Sequence, residues 1–301
     1  MGRCWVLVLV VCMVTEYSGW AQRAAQGSGD LTASLACSNF RWGGDKSDAK
    51  AVMHVPIRMA GKEYTYQLDT GADVLIPYGK TTHDGWTKHG NALRVPKVEF
   101  AGMHLSAVLG YRNGSMPDID VQGTVGLDLL MGRVFVIDFP RQRVCLMEQA
   151  DLPVRLEALA NWSDAEVRHG KFFVKVQING QILKNVLYDT GSSADTLMVD
   201  GDTWRRLSGI AAPNQASRIE TAQSWGKTIH VAISPATGDL QFGKATFAHP
   251  PISTVIEHPD DFRTNYDADG LLGNAPFFNS IVILDLSDHA RFGVIAPSVR
   301  H

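Results

Sequence analysis

Tyr64-Thr65-Tyr66-Gln67-Leu68-Asp69-Thr70-Gly71-Ala72-Asp73 and Val186-Leu187-Tyr188-Asp189-Thr190-Gly191-Ser192-Ser193 place the same tripeptide, Asp-Thr-Gly, at the end of two strand-like runs. One such tripeptide is weak, because three common loop residues recur by accident. Here the surroundings repeat as well. His54-Val55-Pro56-Ile57-Arg58-Met59 and a turn at Ala60-Gly61 precede the first copy; Phe173-Val174-Lys175-Val176-Gln177-Ile178 and a turn at Asn179-Gly180 precede the second. Each reads as an alternating strand, a glycine-containing hairpin turn and a second strand that delivers the aspartate.

The repeat continues downstream. Thr124-Val125-Gly126 is followed by Val134-Phe135-Val136-Ile137-Asp138-Phe139, and Leu271-Leu272-Gly273 by Ile281-Val282-Ile283-Leu284-Asp285-Leu286. The aspartates of the triplets are 189 − 69 = 120 positions apart and the downstream aspartates 285 − 138 = 147, so the second copy carries 27 additional residues between its landmarks. Such insertions belong in loops and hairpins. A chain of 301 residues divides naturally into two units of ordinary domain size. The expected organisation is a unit over 51–148, a connector with some helix over 149–169, and a second unit over 170–301. Leu152, Leu156, Leu159 and Ala160 have helical spacing in the connector, with Ser163-Asp164-Ala165-Glu166 as a further helix start.

Hydrophobic residues make up 45% and charged residues 20%, with a net charge of −3. That is the balance of an ordinary globular protein, and no lysine and arginine cluster is present to neutralise a run of phosphates, so no nucleic-acid partner is implied. Residues 1–21 read as an export signal: Arg3, an apolar stretch Val6 to Val14, and Gly19-Trp20-Ala21 before Gln22. The apolar stretch is shorter than the about 20 residues a membrane helix needs. An uncleaved anchor is the alternative; with cleavage the mature chain has no membrane span. Residues 22–50 read as a polar N-terminal arm or linker. Loss of the signal leaves Cys37 and Cys145, an even pair that an oxidising compartment would join, with two separately buried thiols as the alternative. Localisation is expected to be extracytoplasmic, periplasmic or secreted.

Two such units placed face to face would bring Asp69 and Asp189 together. Carboxylates that close cannot both ionise easily; they share a proton and hold an acid and a base in one centre. Thr70, Gly71, Thr190 and Gly191 would support them, the glycines by tight turns and the threonines by hydrogen bonds across the interface. Gly126 and Gly273 are needed where another segment passes close to the backbone. Ser192 can donate to Asp189 while Ala72 offers Asp69 nothing equivalent, so Asp69 is expected to carry the shared proton.

On these residues the chain resembles the retropepsin and pepsin group of aspartic proteases in a single-chain form. Leu68-Asp69-Thr70-Gly71-Ala72-Asp73 is similar to the retropepsin version and Tyr188-Asp189-Thr190-Gly191-Ser192-Ser193 to the pepsin version. The resemblance implies an all-β fold of two pseudo-symmetric retropepsin-like β-barrel lobes with a cleft between them. It implies an aspartic endopeptidase, active as a monomer on a peptide or protein substrate, without metal or cofactor, with Asp69 and Asp189 catalytic. It also implies at least one hairpin flap; Trp86 and Trp225, each near turn residues, are the candidate tips, and a tryptophan capping its own lobe is the alternative for each. The rival function is a peptide- or protein-binding module on the same scaffold that does not cut.

Overall fold

Each Asp-Thr-Gly triplet is delivered by a hairpin in the computed structural model, which describes residues 30–44, 48–78, 86–90, 92–111, 121–224 and 227–297. The export signal read in residues 1–21 and Trp225 lie outside the described residues. Strand Val52–Met59 buries Met53, Val55, Ile57 and Met59 on one face and turns through Ala60 and Gly61 into Lys62–Leu68. Strand Lys171–Ile178 turns through Asn179 and Gly180 into Gln181–Tyr188. All four turn residues have positive φ, between 51° and 77°. Two-residue turns of that hand match the twist of the strands they join.

The described strands form two sheets, of 8 and 15 strands. In the smaller, Ile76–Pro77, Gly123–Val125, Lys62–Leu68, Val52–Met59, Ala92–Phe100 and Thr87–His89 lie side by side, with Arg41–Gly43 on Val52–Met59 and Met103–Gly110 on Ala92–Phe100. The larger begins with strands from both halves: Ser38–Asn39, Arg143–Met147, Val134–Asp138, then Ile281–Asp285, Arg291–Ile295 and Asn161–Arg168. The halves meet where Val134–Asp138 pairs antiparallel with Ile281–Asp285, with Val136 opposite Ile283. Because 136 + 147 = 283, equivalent residues of the repeat face each other there. These two strands are buried at every position, as strands covered on both faces must be.

A single large core cluster extends from Met53 to Phe292 through both sheets, and a smaller one, with Val134, Val136, Cys145, Leu156, Ile281 and Ile283, lies on the far side of the joining strands. Leu31, Leu35 and Cys37 of the arm cover that smaller cluster. The arm is stitched in place: Thr32 donates to the fully buried Asp138 at 2.7 Å, Asp30 pairs with Arg141 and Arg143, and Cys37 is disulfide-bonded to Cys145.

The connector departs from its expected form. Val154–Leu159 is helical, but Ser163-Asp164-Ala165-Glu166 starts no helix; it lies within strand Asn161–Arg168. That strand pairs first with Arg291–Ile295, over residues 161–164, and then with Lys171–Ile178, over residues 165–168, so cross-strand ladders and not a helical turn set its backbone. Trp162 fixes the change of direction, donating to the Glu157 carbonyl at 3.0 Å with Arg291 stacked 4.2 Å above its ring. Among the described residues no helix is long and apolar enough to cross a membrane.

Candidate active site

The strands Lys62–Leu68 and Gln181–Tyr188 each end beside a short parallel strand from further along their own half. Leu68 pairs with Val125 and Tyr188 with Leu272, and the next backbone N–H in each, from Asp69 and Asp189, continues the ladder to the Val125 and Leu272 carbonyls at 3.0 and 2.9 Å. The two aspartates therefore leave their strands in the same way, from buried and rigid supports.

Gly126 and Gly273 follow those parallel strands. A β-carbon on Gly126 would fall 2.3 Å from the Val74 carbonyl oxygen, and one on Gly273 would fall 2.1 Å from that of Ser192. No side chain fits at either place, because the loop carrying the triplet passes directly against the backbone.

The two loops grip each other through their threonines, both fully buried. The Thr70 N–H donates to the Thr190 hydroxyl and the Thr190 N–H to the Thr70 hydroxyl, each at 3.0 Å. The hydroxyls pass their own protons onward, Thr70 to the Tyr188 carbonyl at 2.8 Å and Thr190 to the Leu68 carbonyl at 3.1 Å. Since 70 + 120 = 190 and 68 + 120 = 188, equivalent residues of the repeat again meet.

This grip brings the carboxyl groups together. A β-carbon on Gly71 would lie 2.6 Å from the Asp189 carboxyl carbon, and one on Gly191 would lie 2.7 Å from that of Asp69. Each glycine thus leaves room for the opposite aspartate, and the two carboxyl groups stand close enough for the charge of one to act on the other. Both are half-buried.

Their surroundings differ. Asp189 accepts from the Gly191 N–H at 2.7 Å, the Gly71 N–H at 3.2 Å and the Ser192 hydroxyl at 3.1 Å, whereas Asp69 accepts from the Ala72 N–H at 3.0 Å. Burial and the neighbouring Asp189 charge hold the Asp69 carboxyl well above the usual carboxylate range, against the opposing pull of the Ala72 N–H and the Lys171 ammonium. Hydrogen bonds to a carboxylate favour its ionised form, so the imbalance of donors assigns the proton of the pair to Asp69.

Several residues at the site have no motif of their own in the sequence. Asn274, fully buried, accepts from the Tyr188 hydroxyl at 2.7 Å and donates to Ser193 at 2.8 Å and to the Thr190 carbonyl at 3.3 Å, bracing the second loop from below. Leu127 stands at the equivalent place after Gly126, and that contrast is the signal that marks Asn274 in the sequence. Asp73 and Asp195 each stand two residues before a buried leucine, Leu75 and Leu197. Asp73 pairs with Lys171. Asp195 instead is pushed up to about 7 by burial and by the charges of Asp189, Asp48 and Glu220. Of the candidate flap residues, Trp86 packs half-buried against the main core.

No protein-family model matches the chain, and no curated protein sequence does. Among solved structures, conglutin gamma, a basic 7S globulin from lupine seeds, aligns over 88% of this chain and 95% of its own with a TM-score of 0.51 and 10% sequence identity. That likeness carries the fold alone. It agrees with a mostly-β architecture, and any chemistry has to be argued from the residues of this chain.

Proposed function

We propose that the chain is an exported aspartic endopeptidase of two pseudo-symmetric, retropepsin-like lobes, which hydrolyses peptide bonds with a water held between Asp69 and Asp189. The observation that carries the reading is the reciprocal approach of each triplet glycine to the opposite aspartate, which sets the two half-buried carboxyl groups side by side. In the proposed reaction the ionised Asp189 takes a proton from the water as its oxygen attacks the scissile carbonyl, and Asp69 gives its proton to the carbonyl oxygen. The tetrahedral gem-diol then collapses: Asp189 gives its proton to the amide nitrogen, the C–N bond breaks, and Asp69 takes the proton of one gem-diol hydroxyl as the carbonyl re-forms, so the pair is left with one proton, as it began.

Both carboxylates come from one chain, which supports activity as a monomer. The joining strands Val134–Asp138 and Ile281–Asp285 support the same view, since they tie the halves into one sheet. Export is supported by the N-terminal signal pattern and by the Cys37–Cys145 disulfide.

The test is cleavage of an unfolded protein at mildly acidic pH by purified material, with and without a statine-type inhibitor. Asp69→Asn and Asp189→Asn are each expected to abolish cleavage while leaving the fold intact. Turnover that survives either change overturns the reading, and peptide binding without turnover by the unaltered chain favours the binding module instead.

A further inference from the structure

Lys171 opens the first strand of the second half, yet its ammonium group is directed to the first half. The turn before it, His169 and Gly170, has φ of 50° and 70°, and a β-carbon on Gly170 would lie 3.3 Å from the Asp73 side chain, so the hairpin tip rests against the loop of the first triplet. Arg168 secures the tip on its own half through Asp267 and by stacking 4.2 Å over the Phe173 ring. From this mount Lys171, with only 18% of its side chain exposed, donates to the Gly71 carbonyl and pairs with Asp73. One cation thereby holds two points of the loop that carries Asp69.

Resting on the aspartic-protease reading, we propose that Lys171 is a positioning residue: an ammonium group delivered by one half of the molecule that holds the aspartate loop of the other and sets the upper pH limit of turnover. The charged and titratable groups that face Asp69, among the described residues, are Asp189 from the second loop, Lys171 from strand Lys171–Ile178, and Tyr78 from the segment after strand Ile76–Pro77. Asp128 feels the charge of Asp73, and Tyr266 those of Asp189 and Asp73. Lys171 is the cation of that set. Its field favours ionised Asp69, and so draws down the pH at which the pair loses its shared proton. The second loop is mounted differently: Asp195, the counterpart of Asp73, faces the acids Asp48 and Glu220. The clamp therefore holds one of the two aspartate loops and not the other.

The experiment is a pH–rate profile of kcat and kcat/KM for Lys171→Met, Lys171→Gln and Lys171→Arg on an unfolded protein substrate. Lys171→Met removes charge and donor. Its alkaline limb is expected to move to higher pH by roughly half a unit to one unit, because Asp69 then holds its proton longer, with a fall in kcat from the loosened loop. Lys171→Gln keeps an N–H for the Gly71 carbonyl without the charge; it should show the same shift with a smaller fall in kcat, and it decides the matter if Lys171→Met does not fold. Lys171→Arg restores both functions and should return the limb to its original place. A fall in kcat that is equal at every pH, with the limb unmoved in the Met and Gln variants, overturns the proposal and leaves Lys171 a structural ion pair. Asp69→Asn, run alongside, separates the two claims. Cleavage that persists in it removes the protease reading; cleavage lost there, with Lys171 variants unshifted, removes only this inference.

Discussion

Thr70 and Thr190 exchange hydrogen bonds in both directions, each backbone N–H donating to the other's hydroxyl at 3.0 Å, in a site where neither residue meets solvent. The hydroxyls cannot be replaced by methyl groups at no cost. Thr70→Val keeps the shape but orphans the Thr190 N–H and the Tyr188 carbonyl. Each buried unsatisfied group costs about 1–3 kcal/mol, so for the two a loss of roughly 2–6 kcal/mol is expected in denaturant unfolding. Thr70→Ser keeps the hydroxyl and gives up one methyl group, at about 1 kcal/mol. Equal losses for the two variants would mean that packing, rather than the exchanged hydrogen bonds, joins the loops.

The unequal donors around the two aspartates make a prediction of opposite sign at matched positions. Ala72→Ser adds a hydroxyl within reach of Asp69, favours its ionised form and should move the acidic pH range of activity lower. Ser192→Ala removes the 3.1 Å donor from Asp189, disfavours its ionised form and should move the range higher. The check is the pH dependence of kcat/KM for both variants. Profiles that coincide with the unaltered chain would show that these side chains do not apportion the proton.

What could be read in the sequence was what neighbours in sequence decide. The hairpins were legible because Val55, Ile57 and Met59 alternate with His54, Pro56 and Arg58, and because Ala60-Gly61 and Asn179-Gly180 sit where the alternation stops. Gly126 and Gly273 were legible only through repetition. The role of Lys171 was hidden: its partners, Gly71 and Asp73, lie in the other copy about a hundred positions earlier, and nothing in its own strand distinguishes it from Lys175. The strand Asn161–Arg168 was misread as a helix start for a related reason. Its alternation is brief, exposed Asp164 and Glu166 against Ala165 and Val167 on the core, and its conformation is imposed by ladders to Lys171–Ile178 and to a strand at the far end of the chain. The meeting of Val136 with Ile283 was likewise beyond local pattern, although both strands were recognisable as strands.

Asp195 should make the fold itself sensitive to pH. Its ordinary value is 3.8, and in the folded chain it is pushed up to about 7. A carboxyl whose folded value is raised contributes stability that is complete below about pH 4 and is lost as pH rises through about 7, because ionisation is then forced beside Asp189 and other acids. Asp128, pushed up to about 6 by burial, acts in the same direction over a slightly lower range. The expectation is a few kcal/mol less unfolding free energy at pH 8 than at pH 5, most of it removed in Asp195→Asn. The check is urea unfolding at both pH values. A variant that keeps the full pH dependence would place its origin elsewhere.

The Cys37–Cys145 bond closes a loop spanning 108 positions and ties the arm to a strand whose neighbour, Val134–Asp138, makes the junction between the halves. Chain-entropy reasoning gives about 4–5 kcal/mol for a loop of that length, and removal of such bonds costs about 2–5 kcal/mol in practice. Cys37→Ser should therefore lower the unfolding midpoint, and so should reductant, with no effect of reductant on the variant. The loss should begin locally. Leu31 and Leu35 cover the cluster beneath the joining strands, and Thr32 is a hydrogen-bond donor to the buried Asp138. Hydrogen exchange in residues 30–43 should therefore accelerate before exchange in Val134–Asp138 and Ile281–Asp285. Simultaneous acceleration in all three segments would mean that the arm is part of the junction's own cooperative unit rather than a strap laid over it.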